Sequence, residues 1–255
     1  MRTLFYLLPL IIAPAFVTRA ADVDAAIVFA IDVSASIDQL TAKMQRDGHV
    51  AALSEPSVMA AIVAGRRGCI AIAYIEWSSA GKAWSVLPWT TICSRADAFA
   101  AANAIRKDGA ARGRCEGYCA TSISNAIDVS SALLEQFDGS AGSKIIDISA
   151  SGTNNDGPPV ALSRQRALGR GHIINAIAPP QLRFGIPYHY LEYMTRNVIG
   201  GTGSFAVEPS AARDYAWTLR WKFQKEISSS GAPAGAYEVA SDLVPARAAL
   251  RPFWP

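Results

Sequence analysis

An apolar run at residues 26–31 ends in Asp32-Val33-Ser34-Ala35-Ser36, an acid and two hydroxyls at alternate positions. One carboxylate and two hydroxyl oxygens are hard donors, the chemistry that suits Mg²⁺, Ca²⁺ or Mn²⁺. The same residues also suit a plain strand-to-helix turn closed by a capping serine. A second hydroxyl cluster, Cys119-Ala120-Thr121-Ser122-Ile123-Ser124, opens a helical pattern after a Gly- and Cys-bearing loop. Thr121 there reads equally as an N-cap or as an oxygen ligand. In the third stretch, residues 145–157, apolar residues run into a Gly/Asn loop carrying Ser151 and Asp156.

Loops can gather hydroxyls only if the elements beneath them point the same way. Apolar strand-like runs alternate with helical patterns, which predicts βαβ units around a mainly parallel sheet. Strands are expected up to Asp32 and over 69–77, 83–90, 144–150, 173–178 and 204–207. Helices are expected over 38–63, divided by Pro56, and over 95–107, 122–137, 162–168, 190–198 and 211–227. Leu40, Met44, Val50, Leu53, Val58 and Ile62 supply the apolar stripe of the first of these. The short polar link 78–82 allows only an antiparallel hairpin, so one edge strand must run against the rest. The expected fold is a doubly wound α/β sheet of six strands with helices on both faces. Ligands of such sheets bind beyond the carboxyl ends of the strands, where the three hydroxyl loops lie.

Composition narrows the partners. Met1-Arg2, an apolar stretch to Val17 and small residues at 20–21 predict a signal peptide over 1–20, an uncleaved anchor being the plainer alternative. Its removal takes away Arg2 and Arg19 and no acid, lowering the net charge from +3 to +1. No basic run remains, which argues against nucleic acid, and no second stretch is long enough to span a membrane. A periplasmic or secreted protein is expected, with its domain over 21–227. Residues 228–255, rich in Ser, Gly, Ala and Pro, read as a disordered tail.

The four cysteines can pair in an oxidising compartment in three ways. The hairpin places Cys69 opposite Cys93, leaving Cys115 to close a small loop with Cys119. Their spacing does not suit a zinc cage.

In order and spacing, the three polar stretches resemble the von Willebrand factor A domain and its metal-ion-dependent adhesion site (MIDAS). That site uses Asp-x-Ser-x-Ser, a Thr from a second loop and an Asp from a third. The closer resemblance is to a family of exported bacterial proteins of that fold, DUF1194. It rests on residues 32–36, Gln45-Arg46-Asp47-Gly48, Tyr74-Ile75-Glu76-Trp77-Ser78, Val86-Leu87-Pro88-Trp89-Thr90, residues 146–149, Asn154-Asn155-Asp156-Gly157 and residues 198–205. The resemblance implies Ser34, Ser36 and Thr121 as oxygen ligands, with Asp32 binding directly or through water. Where the family pattern reads Ser-Gly-Asp-Gly, this chain has Ser149-Ala150-Ser151-Gly152, so Ser151 replaces the third-loop acid. Affinity for Mg²⁺, Ca²⁺ or Mn²⁺ is then expected to be weak or absent, because it depends on ligand charge. Asp156 would have to swing in to compensate; a solvated turn position is the simpler expectation.

Asp147, within a central strand, is expected to be hydrogen-bonded or paired, because burying a lone charge is costly. Glu76 is expected to be structural or to border the site. Trp77, Trp84 and Trp89 suit packing over the hairpin better than a carbohydrate platform. The histidines, His49, His172 and His189, offer no Ser-His-acid set beside Ser34, and His172 should lie at the opposite end of the sheet. Gly200-Gly201-Thr202-Gly203 lacks the Lys-Ser/Thr of a phosphate loop and reads as a turn. The expected function is therefore a non-enzymatic binding module for a protein that offers an acidic side chain. A metal-free scaffold and a metal-assisted hydrolase are the alternatives.

Overall fold

A computed structural model describes residues 22–109, 119–183, 186–211 and 214–228. The expected signal peptide, the tail beyond 228 and Cys115 lie outside them. The main sheet has six strands in the order β3-β2-β1-β4-β5-β8. These are β1 (Val23–Asp32), β2 (Ile70–Trp77), β3 (Ala83–Ile92), β4 (Ala141–Ser149), β5 (Ile173–Ile177) and β8 (Ala206–Val207). All neighbours are parallel except β2 and β3, so the antiparallel edge strand stands where the hairpin required it. A separate ribbon pairs β6 (Gln181–Arg183) with β7 (Ile186–Tyr188).

Every residue of β1 is buried, because the strand is covered on both faces. Its period-two alternation sends Ala26, Val28 and Ala30 toward one core, shared with Ile123 and Ile127 of α4 (Ile123–Glu135). Ala25, Ile27, Phe29 and Ile31 face the other, shared with Val50 and Leu53 of α1 (Gln39–Ser54) and Ile105 of α3 (Arg95–Asp108). Each fully buried Ile or Phe contributes roughly 1.5–3 kcal/mol of burial free energy.

Local signals fix the helix ends. The Asp38 carboxylate caps α1 by accepting from the Thr41 amide, and Ser94 with Asp97 closes a capping box on α3. Pro56 opens α2 (Pro56–Val63) and holds Glu55 extended, which separates α1 from α2 as expected. The Cys69–Cys93 disulfide is formed.

Three expectations need correction. Leu40 is 76% exposed, because the first turn of α1 lies beside Pro180 along a surface groove instead of over the sheet. The helix expected over 190–198 is one α turn, α6 (Leu191–Tyr193), that widens into a π turn over Met194–Val198. There the Ile199 amide donates to the Met194 carbonyl five residues back, and Met194 and Val198 are both buried. The last helix, α7, runs Tyr215–Ser228, starting later than expected. Between β4 and β5, α5 (Val160–Gly169) completes the helices of the described residues.

Helix α7 crosses the sheet lengthwise. Tyr215 meets Ser149 at the carboxyl end of β4, whereas Glu226 lines a small cavity with Ser143, Ile145 and Ile173 near the amino ends of β4 and β5. Val23, where β1 begins, and Ser228, where α7 finishes, therefore stand at the same end of the sheet.

Glu76 lies on the α1 and α3 face of β2, away from α4, and does not join the hydroxyl loops. Its nearest cation is Arg46, 3.8 Å away, and neither carboxylate oxygen has a hydrogen-bond partner. Burial, only partly offset by Arg46, pushes its carboxyl up from 4.5 to about 7. The native protein thus keeps a proton that the unfolded chain releases, so this contribution is full below pH 4.5 and is lost as pH rises through 7. The loss is on the order of 3 kcal/mol. Glu76→Gln is expected to flatten that part of the stability profile and to raise the urea midpoint at pH 8. A pH profile identical to that of the parent protein would contradict this.

Candidate metal centre

The candidate site is built where β1, β4 and α4 meet. Past Asp32 the chain turns sharply, because the Asp32 carboxylate accepts the Ser34 amide at 2.8 Å. That turn aims Ser34 Oγ at Thr121 Oγ1, 3.0 Å away, and at Ser36 Oγ, 3.1 Å away. Ser36 Oγ in turn meets Ser151 Oγ at 3.2 Å, and the Ser151 amide donates to the other Asp32 oxygen at 3.3 Å. All five sequence-expected residues, Asp32, Ser34, Ser36, Thr121 and Ser151, are thus in one hydrogen-bonded cluster. Asp32, Ser34, Thr121 and Ser151 are buried, and Ser36 opens toward solvent.

The loops are stitched by residues to which the sequence reading gave no role. The Ala35 amide donates to the Cys119 carbonyl. Asn155 accepts the Thr121 amide on its side chain and donates its own amide to the Thr121 carbonyl. Beneath them, Gln45 donates to the Asp32 carbonyl and accepts from Ser149 Oγ at 2.6 Å. Gln45 lies within a stretch that carried the family resemblance, and Asn155 within the Asn-Asn-Asp-Gly turn; those patterns were the available signals. Asp156 does not swing in: its carboxylate accepts the Ala80 and Gly157 amides.

The donor set fits a small hard cation. Octahedral Mg²⁺ holds oxygens at about 2.0–2.1 Å, so adjacent ligands stand about 3 Å apart, the spacing of Ser34 Oγ from both Ser36 and Thr121. Charge is the weak point. Among the described residues no three His, Cys, Asp or Glu side chains gather to hold a metal. Asp32 is the cluster's one carboxylate, and burial pushes it up to about 6 against the pull of its hydrogen bonds from Ser34 and Ser151.

A Ser-His-acid array does exist, at the opposite end of α4. His172 bridges Ser131 Oγ and Glu135, each at 3.0 Å, and Arg170 also donates to Ser131. Ser131 and His172 are each 1% exposed, so no substrate can reach the hydroxyl. Trp77 is fully buried and Trp89 packs on Phe137 while donating to the Leu133 carbonyl, which makes both packing residues.

The family model for a protein of unknown function, DUF1194, matches residues 22–231. The chain belongs to the DUF1194 family. None of the curated proteins matches the chain. Among solved structures, this DUF1194 protein is similar to proximal thread matrix protein 1 of the mussel byssus, in a form described as having a zinc-occupied MIDAS motif. Identity is 16% and the TM-score 0.59 over 81% of this chain and 48% of that one. The pilus adhesin SpaC of Lactobacillus rhamnosus GG is similar at 15% identity and TM-score 0.56, over 81% of this chain and 30% of that one. The vWF domain of the pilus tip protein Mfa5 of Porphyromonas gingivalis gives 9% identity and TM-score 0.52, over 85% and 99%. The fold is therefore that of a von Willebrand factor A domain. The chain spans about half the length of the mussel protein. Among the described residues, no helix is long and apolar enough to cross a membrane.

Proposed function

We propose that this DUF1194 protein is an exported, non-enzymatic binding module that captures a protein partner through a divalent cation held by Ser34, Ser36 and Thr121. The observation that carries this reading is the spacing of the three hydroxyls, brought by two separate loops to the edge length of a Mg²⁺ octahedron with the Asp32 carboxylate beneath. A bound cation would offer a Lewis-acidic position to an incoming carboxylate. With a single carboxylate in the cluster, an Asp or Glu of the partner supplies the second negative charge. The adhesive and pilus proteins among its structural neighbours support a binding role over catalysis.

Cation affinity in the absence of a partner should be low. Calorimetric titration of the oxidised protein with Mg²⁺, Mn²⁺ and Ca²⁺ is expected to show weak binding that Ser34→Ala with Thr121→Val removes. No heat with any of the three ions, even with millimolar acetate as a stand-in carboxylate, would instead favour a metal-free scaffold. Such a scaffold is consistent with a hydroxyl cluster that already hydrogen-bonds to itself.

A further inference from the structure

The most unusual chemistry lies below the hydroxyl loops, in the core between the sheet and α7. Lys222 is fully buried, with its Nζ 2.6 Å from Asp147 Oδ1 and in contact with Glu226 Oε1. Asp147 and Glu226 are each 1% exposed. The Lys222–Asp147 contact lacks hydrogen-bond geometry, and neither Asp147 oxygen has a hydrogen-bond partner. Phe29 and Asn175 flank Asp147 on the neighbouring strands. Phe223 stacks on Phe29 at 5.0 Å, and the Phe205 ring lies 5.5 Å from Lys222 Nζ. Asn175 fixes Glu226 by donating to Oε1 at 2.8 Å. An amine thus rests against a carboxyl group in a water-poor pocket, with a second carboxyl group held on the amine.

We propose that Lys222 and Asp147 condense into an intramolecular isopeptide bond joining α7 to β4, with Glu226 as the proton relay. Lys222 Nζ attacks Asp147 Cγ, the new N–C bond forms, and one Asp147 C–O bond breaks. Of the three ammonium protons one stays on the amide nitrogen and two leave with the oxygen as water. Glu226 takes a proton from Nζ, which frees the lone pair, and passes it to the departing oxygen. It ends as it began, and no oxidant or further reactant is consumed. Positioning supplies the rate, since both partners are held in contact by the fold. The thermodynamic pull is the removal of two charges that were costly to bury, leaving a neutral amide. A cavity of about 10 Å³, the smallest size that holds one water, lies beside Glu226 and is lined also by Asn175, Ser143 and Phe205.

The reaction needs no partner, so the purified chain itself is the test. Its intact mass, after allowance for disulfide hydrogens and for the amino terminus found by peptide mapping, is expected to be one water below the sequence mass. Trypsin should then yield a branched peptide, residues 145–164 joined to 221–225, uncut after Lys222. Glu226→Gln is expected to restore the full mass and two separate peptides while the Cys69–Cys93 bridge still forms. A parent protein of full sequence mass, with cleavage after Lys222, would overturn the proposal. A cross-link persisting in Glu226→Gln would overturn the relay role of Glu226.

Discussion

Replacing Ser151 with aspartate is expected to raise the affinity for Mg²⁺ by about ten- to a hundredfold. Ser151 is buried, its hydroxyl 3.2 Å from Ser36 Oγ and its amide bonded to Asp32, so a carboxylate there joins the cluster without moving the loop. That gain is roughly 1.4–3 kcal/mol. It is a fraction of the ~8 kcal/mol of bare attraction between a carboxylate and a divalent ion about 4 Å apart at an effective dielectric of about 20, because desolvating the new charge offsets most of it. Without the ion, the new carboxylate faces Asp32, which burial already makes reluctant to ionise, so the apo protein should lose stability. The two effects together predict a melting temperature that Mg²⁺ raises far more in Ser151→Asp than in the parent protein. Equal responses in the two proteins would show that Ser151 does not face the ion.

The second large effect concerns Lys222. Lys222→Met is expected to cost about 3–5 kcal/mol, because without Lys222, whether as ion-pair partner or as amide, Asp147 is stranded as a free acid beside Glu226 in a sealed core. Glu226 is already pushed up to about 7, by burial first and then by Asp147, so losing the cation that pulls it down drives Glu226 further toward its neutral form. Adding Asp147→Leu and Glu226→Leu to Lys222→Met should recover most of that loss, since apolar replacements of similar volume fill the space without an unpaired charge. Urea midpoints at constant m-value read both results. A single Lys222→Met variant as stable as the parent would show that Lys222 carries no stability, either as a buried ion or as an amide.

What the sequence made legible follows from periodicity and hard breaks. The continuous apolar run of β1 and the five-residue link before β3 specified a parallel sheet with one reversed edge strand. Pro56 marked the division between α1 and α2. The hydroxyl cluster was legible because its residues follow directly from strand ends and helix starts, positions fixed by the fold. Less visible were polar side chains whose partners come from distant segments. Asp147 reads as a liability within its strand until Lys222 arrives from α7. Gln45 looks like any helix glutamine until the Asp32 carbonyl and Ser149 close on it. Asn175, buried in β5, serves both Glu226 and the Phe205 amide, a pairing no local pattern announces. The π turn at 194–198 was missed because its apolar residues also match an ordinary helix.

The placement of Val23 and Ser228 at the end of the sheet away from Ser34, Ser36 and Thr121 bears on how the domain can be mounted. Attachments joined at either position leave from the base, like a lamp fixed to its stand, at the end of the sheet opposite the hydroxyl crown. Fluorescent reporters or surface tethers fused there would sit away from the carboxylate-bearing partner proposed above.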